Sequence, residues 1–400
     1  MTSRREFLRG TVAATASATL MPAGAVMAAV EIRTAISQPP DWFLSRLSQL
    51  MDVAGTPGIA AVVVRGGRIV WEHHAGVLKA GDATPVTSET IWPAASLGKP
   101  VFAAAVLGLV TERQFDLDRP LCEYVPEHAA SDDRTRRITA RHVLSHTAGF
   151  PNWRNQPGQE LPARFEPGSA FSYSGEGYYY LQRAVEHVTG LGIQQVVRRR
   201  IFDRLKMSSS TYAWRDDVPE RLAVGHDRGV PGPYGQYDLR PQLWSYATAH
   251  GRSLDSFRFE DVRAAMADMP NAPAPLPNMM APNVAGSLLT TARDYASFVI
   301  AVLDGSGAAL GLSRAERTAM STSQISLNRA MEWGLGLGIE TPAGTLWHWG
   351  DNGGWKNFVL IEPSDGSALL VFTNGSHGMN VAERFVAAAT GRDHVAFQWL

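Results

Sequence analysis

Short apolar runs lie near both ends of the chain, and turn residues separate them. Residues 58–64 and 68–74 are rich in β-branched side chains and flank a glycine turn at 65–67, which predicts a β-hairpin. Three further short runs are divided by glycine-rich turns and cover residues 346–349, 357–361 and 368–373. Because these strands come from both ends of the chain, the pattern predicts one five-stranded antiparallel sheet that the two ends assemble together.

The middle of the chain has the spacing of helices instead. Helical patterns cover residues 97–112, 139–145, 175–189 and 191–205, with others near 258–268 and 380–389. The run of alanine and proline at 272–277 is expected to be extended. Together these patterns predict an α+β fold. A sheet lobe built from residues 30–96 and 283–400 is flanked by helices, and a mostly helical lobe at 97–282 is inserted into it.

The composition is that of an ordinary globular protein, and it narrows the choice of partners. The chain has 400 residues, 45% of them hydrophobic, and a formal net charge of −1. Such a chain offers no basic surface for nucleic acid, so the expected partner is a small-molecule or peptide substrate. The single cysteine permits no internal disulfide and no cysteine-rich metal site. No metal and no cofactor are therefore expected.

The first 28 residues resemble a twin-arginine export signal. Arg4 and Arg5 precede Phe7, a mildly apolar run follows up to Leu20, and small residues come after it. The run is too short and too rich in alanine and threonine to predict a membrane span. The segment 1–28 therefore predicts export to a bacterial periplasm or secretion, with no membrane span left once the signal peptide is removed.

The pair Ser96 and Lys99 is the first candidate for chemistry. Residues three apart on a helix share a face, so Lys99 can take the proton of the Ser96 hydroxyl if burial or a neighbouring cation lowers its pKa. Pro100 suits a first helical turn, which places Ser96 near a helix N-terminus that favours an oxyanion. The apolar residues 101–110 predict a buried helix as a rigid mount. A serine that only caps the helix is the other interpretation.

Further segments follow in an order that matches a known family. They include Leu-Ser-His-Thr-Ala-Gly at 144–149, Pro-Gly-Ser-Ala-Phe-Ser-Tyr-Ser-Gly at 167–175, Ala-Gly-Ser at 285–287 and His-Trp-Gly at 348–350. With Ser-x-x-Lys they resemble the serine β-lactamase and DD-peptidase superfamily, in its class C-like branch of esterases, D-amino-acid peptidases and β-lactamase-related hydrolases. The resemblance runs from about Gly58 to Thr373 and implies a β-lactamase/transpeptidase-like fold.

The resemblance also implies a role for each matching residue. Ser96 would be the acylated nucleophile and Lys99 its base. Tyr173 would carry the proton to the leaving group and later activate the hydrolytic water. The backbone N–H groups of Ser96 and Asp351 would form the oxyanion hole. The implied substrate-binding positions are Gly175, His348, Trp349 and Gly350.

Two of these positions depart from the family pattern. Gly175 stands where the Tyr-x-Asn motif has asparagine, so the amide that would hold Lys99 and the acyl side chain is missing. His348 stands where relatives carry lysine, which reduces the fixed charge available to a substrate carboxylate at neutral pH. Lowering the pH from 8 to 5.5 is expected to protonate His348 and restore a cation. Both departures favour neutral esters over carboxylate-bearing β-lactams.

Three functions remain in competition at this point. The leading hypothesis is an exported serine hydrolase that cleaves ester or D-Ala-type amide bonds through an acyl-enzyme on Ser96. A class C-like β-lactamase is the alternative within the family. A non-catalytic module that binds or senses cell-wall peptides is the alternative from another class. His146 resembles a triad histidine but is expected to be structural. Five aromatic residues are candidates for the pocket lining, with Trp349 and Trp355 ahead of Trp153, Tyr212 and Trp244.

Overall fold

A computed structural model describes residues 35–126, 132–154, 156, 159–234, 238–270 and 281–400. The expected signal peptide at 1–28 and the extended run at 272–277 lie outside the described residues, and both stay predictions. Residues from Thr34 to Leu400 group into one compact unit. The division of this unit at residues 96 and 283 into a sheet lobe and a helical lobe also stays a prediction.

Strands in the described residues form one large sheet and two small ones. In chain order they are β1 (Gly58–Arg65), β2 (Arg68–Gly76), β3 (Trp92–Ala95), β4 (His226–Asp227), β5 (Val230–Pro231), β6 (Leu288–Thr290), β7 (Ile325–Asn328), β8 (Met331–Trp333), β9 (Gly338–Glu340), β10 (Thr345–Asp351), β11 (Lys356–Glu362) and β12 (Ser367–Thr373). The large sheet has the order β2-β1-β12-β11-β10-β9-β8-β7, while β3 pairs with β6 and β4 with β5. Every pairing is antiparallel.

The large sheet is wider than the sequence predicts. The five expected strands form its contiguous part, β2-β1-β12-β11-β10, and both ends of the chain contribute to it as predicted. The count of five is corrected to eight, because β9, β8 and β7 extend the sheet beyond β10. These three strands have only three or four residues each, too few to show a clear alternation of apolar and polar positions.

Helices in the described residues cover both faces of this sheet. They are α1 (Asp41–Leu44), α2 (Leu47–Val53), α3 (Gly98–Thr111), α4 (Asp133–Arg136), α5 (Ala140–Leu144), α6 (Gly175–Thr189), α7 (Ile193–Val197), α8 (Asp203–Leu205), α9 (Val218–Arg221), α10 (Arg240–Ala249), α11 (Phe259–Asp268), α12 (Ala292–Leu303), α13 (Arg314–Ser321), α14 (Gly378–Thr390) and α15 (Ala396–Trp399). A π-helical segment at Arg198–Phe202 joins α7 to α8, so the helix predicted at 191–205 has an irregular centre. Within the described ranges, no helix has the length and apolar character needed to cross a bilayer.

The two largest parts of the hydrophobic core in the described residues lie on opposite faces of the large sheet. Ala60, Val62 and Val64 of β1 belong to the part that contains α3, α6 and α12. The intervening residues of the same strand belong to the part that contains α2 and α14. Successive strand residues point to opposite faces. A strand packed on both faces is therefore apolar throughout, as β1 and β12 are.

The start of α3 is held firmly inside the first core. Every α3 residue from Gly98 to Leu109 is buried. The Tyr295 hydroxyl donates to the Leu97 carbonyl at 2.9 Å, and the Tyr212 hydroxyl donates to the Gly98 carbonyl at 2.7 Å. In the segment 91–100, Ser96 is the one residue that is not buried. The fold therefore presents Ser96 on a rigid support.

Candidate active site

Ser96 and Lys99 are in direct contact at the turn between β3 and α3. Ala95, the last residue of β3, has a left-handed backbone with φ of 52°, and this sharp turn leads the chain into Ser96. Nζ of Lys99 lies 2.9 Å from Oγ of Ser96 and 2.7 Å from the carbonyl oxygen of Ala285. Non-glycine residues in the left-handed region are uncommon, and they cluster at functional sites. The structure thus brings together the two residues of the first motif.

The environment of Lys99 favours the neutral amine. Its side chain is 1% exposed, and burial lowers its pKa well below the usual value. No carboxylate in the described part of the chain forms an ion pair with it. A carbonyl oxygen can only accept, so Lys99 donates to Ala285. Nζ also lies within hydrogen-bond distance of Oγ of Ser96, so the amine, once deprotonated, can accept the proton of that hydroxyl. Sequence reasoning missed Ala285 because its contribution is a backbone atom.

Tyr173 lies beside this pair. Nζ of Lys99 is 4.8 Å from the centroid of the Tyr173 ring. The ring is half-buried, whereas the hydroxyl is buried and makes no hydrogen bond to another group in the described residues. Burial raises the pKa of Tyr173 above its ordinary value, the nearby Ser96 hydroxyl opposes that rise and Asp351 adds to it. The phenol therefore stays protonated at neutral pH.

His146 packs against Tyr173 rather than against Ser96. Its ring centroid is 4.2 Å from that of Tyr173 and 5.1 Å from that of Tyr178. Nδ1 of His146 accepts the backbone N–H of Ser174 at 3.0 Å, so the neutral ring carries its proton on Nε2. Burial lowers the pKa of His146 well below its ordinary value, and a proton on Lys99 or His348 would repel one on His146 further. His146 thus supports the tyrosine as a neutral side chain.

The His-Trp-Gly motif at 348–350 lies on β10, next to Ser96. A Cβ added to Gly350 would lie 2.1 Å from the carbonyl oxygen of Ala94, so the backbones of β10 and β3 meet just before Ser96. The carboxylate of Asp351 points away to solvent and forms an ion pair with Lys356 at 2.6 Å. Glycine is required at position 350 because any side chain would separate the two strands.

His348 is neutral at neutral pH, as expected, but its pKa lies too low for the expected protonation at pH 5.5. It has no exposed surface, and burial is the main cause that lowers its pKa to about 3, with repulsion from Lys99 adding to it when that amine is protonated. The expectation that pH 5.5 would restore a cation at this position is therefore wrong, because a fully buried imidazole resists protonation. Nδ1 of His348 donates to the Trp349 carbonyl at 2.8 Å, which leaves the lone pair on Nε2. His348 can thus accept a hydrogen bond but has no charge for a carboxylate.

Gly175 begins α6 and offers no side chain to a substrate. The indole of Trp153 fills the space where a side chain at this position would go, with Cζ2 only 2.3 Å from the place of a Cβ. Trp153 is half-buried, and among the five candidate aromatic residues it gave no special signal in the sequence. Its proximity to Gly175 depends on the loop at 150–154, which no local pattern predicts.

The other candidate aromatic residues have separate positions. Trp349 packs against Tyr173 in a tilted arrangement, with ring centroids 4.7 Å apart. Trp355 donates to the Ala223 carbonyl at 2.8 Å and lines a cavity of about 170 Å³ with Trp214 and Tyr234. This cavity also reaches Gly286 and Asn352, next to Ala285. Tyr212 is a buried support of α3, and Trp244 packs in another cluster.

The comparison with family models decides the family. The model described as Beta-lactamase matches residues 43–391. The chain belongs to the beta-lactamase family. The ordered motifs predicted this assignment, and it is confirmed.

Relatives of this beta-lactamase-family chain include penicillin-binding proteins and esterases. Penicillin-binding protein 4 of Amycolatopsis lactamdurans is 25% identical over 346 residues, which cover 80% of this chain and 81% of that protein. Esterase EstB of Burkholderia gladioli is 28% identical over 210 residues, which are 45% of this chain and about half, 53%, of the esterase. These relationships make the chain a serine hydrolase of the beta-lactamase-related type.

Two solved structures share the fold. The octameric penicillin-binding protein homologue from Pyrococcus abyssi has a TM-score of 0.66 at 21% identity, covering 88% of this chain and 78% of its own. EstCE1, a hydrolase with promiscuous acyltransferase activity, has a TM-score of 0.67 at 17% identity, and the match covers 87% of this chain and 98% of EstCE1. At these identities the likeness shows the fold alone, and it confirms the predicted β-lactamase/transpeptidase-like architecture.

A buried carboxyl group lies behind the site of this beta-lactamase-family protein. Glu186 of α6 accepts Nε2–H of Gln182 at 2.9 Å and the backbone N–H of Phe259 at 3.0 Å. Burial raises the pKa of Glu186 to about 7. Gln182 in turn accepts the backbone N–H of Val284, the neighbour of Ala285. In the described residues, no cluster of histidine, cysteine and acidic side chains is arranged to hold a metal ion.

Proposed function

We propose that this protein is an exported serine hydrolase that forms an acyl-enzyme on Ser96 and cleaves ester bonds or the amide bonds of D-Ala-type peptides. We further propose that it prefers substrates without a carboxylate group next to the His-Trp-Gly motif at 348–350. One observation carries the proposal. The buried amine of Lys99, which has no carboxylate partner in the described residues, lies 2.9 Å from Oγ of Ser96. A neutral amine at hydrogen-bond distance from a hydroxyl makes that hydroxyl an activated nucleophile.

In the proposed acylation step, the Ser96 hydroxyl gives its proton to Nζ of Lys99 while Oγ attacks the carbonyl carbon of the substrate. The carbonyl π electrons move to oxygen, and the tetrahedral intermediate then returns them as the bond to the leaving group breaks. The leaving oxygen or nitrogen takes a proton from the Tyr173 hydroxyl, and the Lys99 ammonium returns a proton to Tyr173. This route uses the raised pKa of Tyr173, which keeps the phenol protonated and able to donate.

Deacylation follows the same path in reverse. A water molecule attacks the acyl carbonyl, its proton passes to neutral Lys99 by way of Tyr173, and Oγ of Ser96 leaves with that proton. The backbone N–H groups of Ser96 and Asp351 are proposed to stabilise the oxyanion in both steps. The close approach of Gly350 to Ala94 supports this role, since it brings the two chain segments together.

The preference for neutral esters rests on two positions, one with a neutral side chain and one with none. His348 is neutral over the working pH range and provides an acceptor rather than a cation. Gly175 provides no amide. A carboxylate-bearing β-lactam would therefore lose a charge-assisted hydrogen bond, and such bonds are roughly twice as strong as neutral ones.

Covalent labelling tests the mechanism directly. The wild type is expected to form an adduct on Ser96 with a fluorophosphonate or a fluorescent penicillin, located by peptide mass spectrometry, whereas Ser96→Ala forms none and the exposed control Ser306→Ala labels normally. A panel of nitrophenyl esters, nitrocefin and D-Ala-D-Ala peptides then ranks the substrates. Absence of any adduct would favour the non-catalytic binding module. A kcat/KM for nitrocefin above that for the esters would favour a β-lactamase.

Export is a separate part of the proposal. Its support is Arg4-Arg5 ahead of a weakly apolar run, a pattern in the sequence. We expect that changing both arginines to lysine traps the precursor in the cytoplasm of a bacterial host, measured by fractionation. Normal export of that variant would contradict a twin-arginine route.

A further inference from the structure

Gly175 and Trp153 fit each other so closely that a side chain at position 175 would require the indole at position 153 to move. A Cβ at residue 175 would lie 2.3, 2.5 and 2.7 Å from three carbons of the six-membered ring of Trp153, namely Cζ2, Cη2 and Cε2. Real Cβ atoms do not approach other atoms this closely. The indole therefore occupies the place where any side chain at position 175 would begin.

A buried ion pair and a side-chain hydrogen bond hold the backbone on the two sides of Trp153. Arg154, the residue after Trp153, forms two parallel hydrogen bonds to Glu176, at 2.9 Å from Nε and 2.7 Å from Nη2. The Glu176 side chain is 1% exposed. On the other side of Trp153, Asn152 accepts the backbone N–H of Gly175 at 2.9 Å. Shifting the backbone at Trp153 would break these contacts and leave a buried charge without its partner.

The indole thus lies where the motif would place a polar group. Gly175 is two residues after Tyr173, whose ring is 4.8 Å from Nζ of Lys99. In the family motif this position is asparagine, whose amide would face Lys99 and the acyl group of the substrate. The ring carbons of Trp153 have no hydrogen-bond donor or acceptor, so they replace an amide surface with a hydrocarbon one.

We propose that Trp153 is a specificity-determining residue that provides an apolar wall for the acyl group, selecting esters with hydrocarbon acyl chains over acyl groups that carry an amide. This inference rests on the proposed function, because it assigns a substrate class to the same site. It adds a residue outside the three family motifs, and it explains why Gly175 is required once a tryptophan occupies position 153.

A matched set of variants tests the pairing through stability. Gly175→Ala and Gly175→Asn are expected to lower Tm by several degrees, because each forces a Cβ into the indole. Gly177→Ala is the control on the same helix, since its Cβ would meet neighbours only at 3.5 Å or more. In a Trp153→Ala background, Gly175→Asn is expected to cost much less. An equal loss of Tm in both backgrounds would overturn the pairing.

Kinetics test the specificity. Trp153→Ala is expected to reduce the ratio of kcat/KM for nitrophenyl hexanoate over acetate by roughly tenfold, while Trp153→Phe keeps most of it. The double variant Trp153→Ala/Gly175→Asn is expected to raise the ratio for nitrocefin over acetate. Trp42→Ala, which removes an indole that is 62% exposed, is the control. An unchanged hexanoate ratio in a folded Trp153→Ala would overturn the proposal.

The two proposals fail in different ways. If the wild type forms no Ser96 adduct and hydrolyses no ester, the proposed function is wrong. The Tm values of the Gly175 variants with and without Trp153→Ala still decide whether residues 153 and 175 are paired. If the wild type is an active esterase and the ratios do not respond to Trp153, only the specificity assignment is wrong.

Discussion

The two sides of the site differ in how closely they follow the family pattern. On the side of α3, Ser96 and Lys99 keep the motif and are in contact at 2.9 Å. On the side formed by α6 and β10, an indole takes the place of the motif's amide and a neutral imidazole that of its lysine. Under the proposed function, the groups that break the substrate bond are kept, while the groups that would bind polar or anionic substrates are replaced. Reaction type and substrate choice are separable in this fold.

The largest expected effect breaks the α3 side. Lys99→Ala and Tyr173→Phe are each expected to lower kcat by several orders of magnitude, because the groups that move one proton act as a unit. KM should change much less. Initial rates on a nitrophenyl ester measure this, with Lys79→Ala, a lysine 45% exposed in its side chain, as the control. Near-normal turnover in either variant would refute the proton path.

A stability measurement sharpens the comparison at α6. On the α3 side, burial suppresses the positive charge of Lys99. On α6, Glu186 is a buried acid, and burial raises its pKa from 4.5 to about 7. The folded state therefore holds this proton more tightly than the unfolded state between pH 4.5 and 7. Over that window Glu186 makes the protein less stable as pH rises, by on the order of 3 kcal/mol.

Denaturant unfolding of wild type and Glu186→Gln checks this. The unfolding free energy of the variant minus that of the wild type is expected to increase from pH 4.5 to 7 and to level off above it. Taking the difference at each pH removes the contribution of Lys99, which has the opposite sign. A difference that does not vary with pH would show that Glu186 titrates normally.

The smallest effect tests the β10 side. His348→Lys is expected to raise kcat/KM for nitrocefin relative to a short ester by about ten- to a hundredfold, since one charge-assisted contact is worth roughly 1.5–3 kcal/mol. In the wild type this ratio should stay flat from pH 5.5 to 8, because the pKa of His348 is about 3. A ratio that increases towards pH 5.5 would mean that His348 does become protonated.

The features that local hydrophobic patterns and the order of motifs determine could be predicted from the sequence. The buried helix after Ser96, the hairpin of β1 and β2, and the meeting of both chain ends in one sheet are confirmed. Strands of three or four residues at the sheet edge were not predicted, because so few residues show no reliable alternation.

Three features of the site depend on burial, long-range packing or backbone atoms, which a motif does not reveal. The charge state of His348 follows from complete burial next to Lys99, and the sequence shows only that histidine replaces lysine. The contact of Trp153 with Gly175 joins a loop to a helix start across the fold. The Ala285 carbonyl, which accepts from Lys99, is invisible to side-chain reasoning altogether.

The contact between Trp153 and Gly175 also limits how this protein can change over generations. A side chain gained at position 175 collides with the indole, and an indole lost from position 153 leaves a void, so each single step is unfavourable. Only the joint replacement relieves both, which is strong epistasis between two sites. Mutant libraries that vary one codon at a time would therefore miss the route from this esterase-like wall to an amide-bearing one, whereas a library that varies both codons together would contain it.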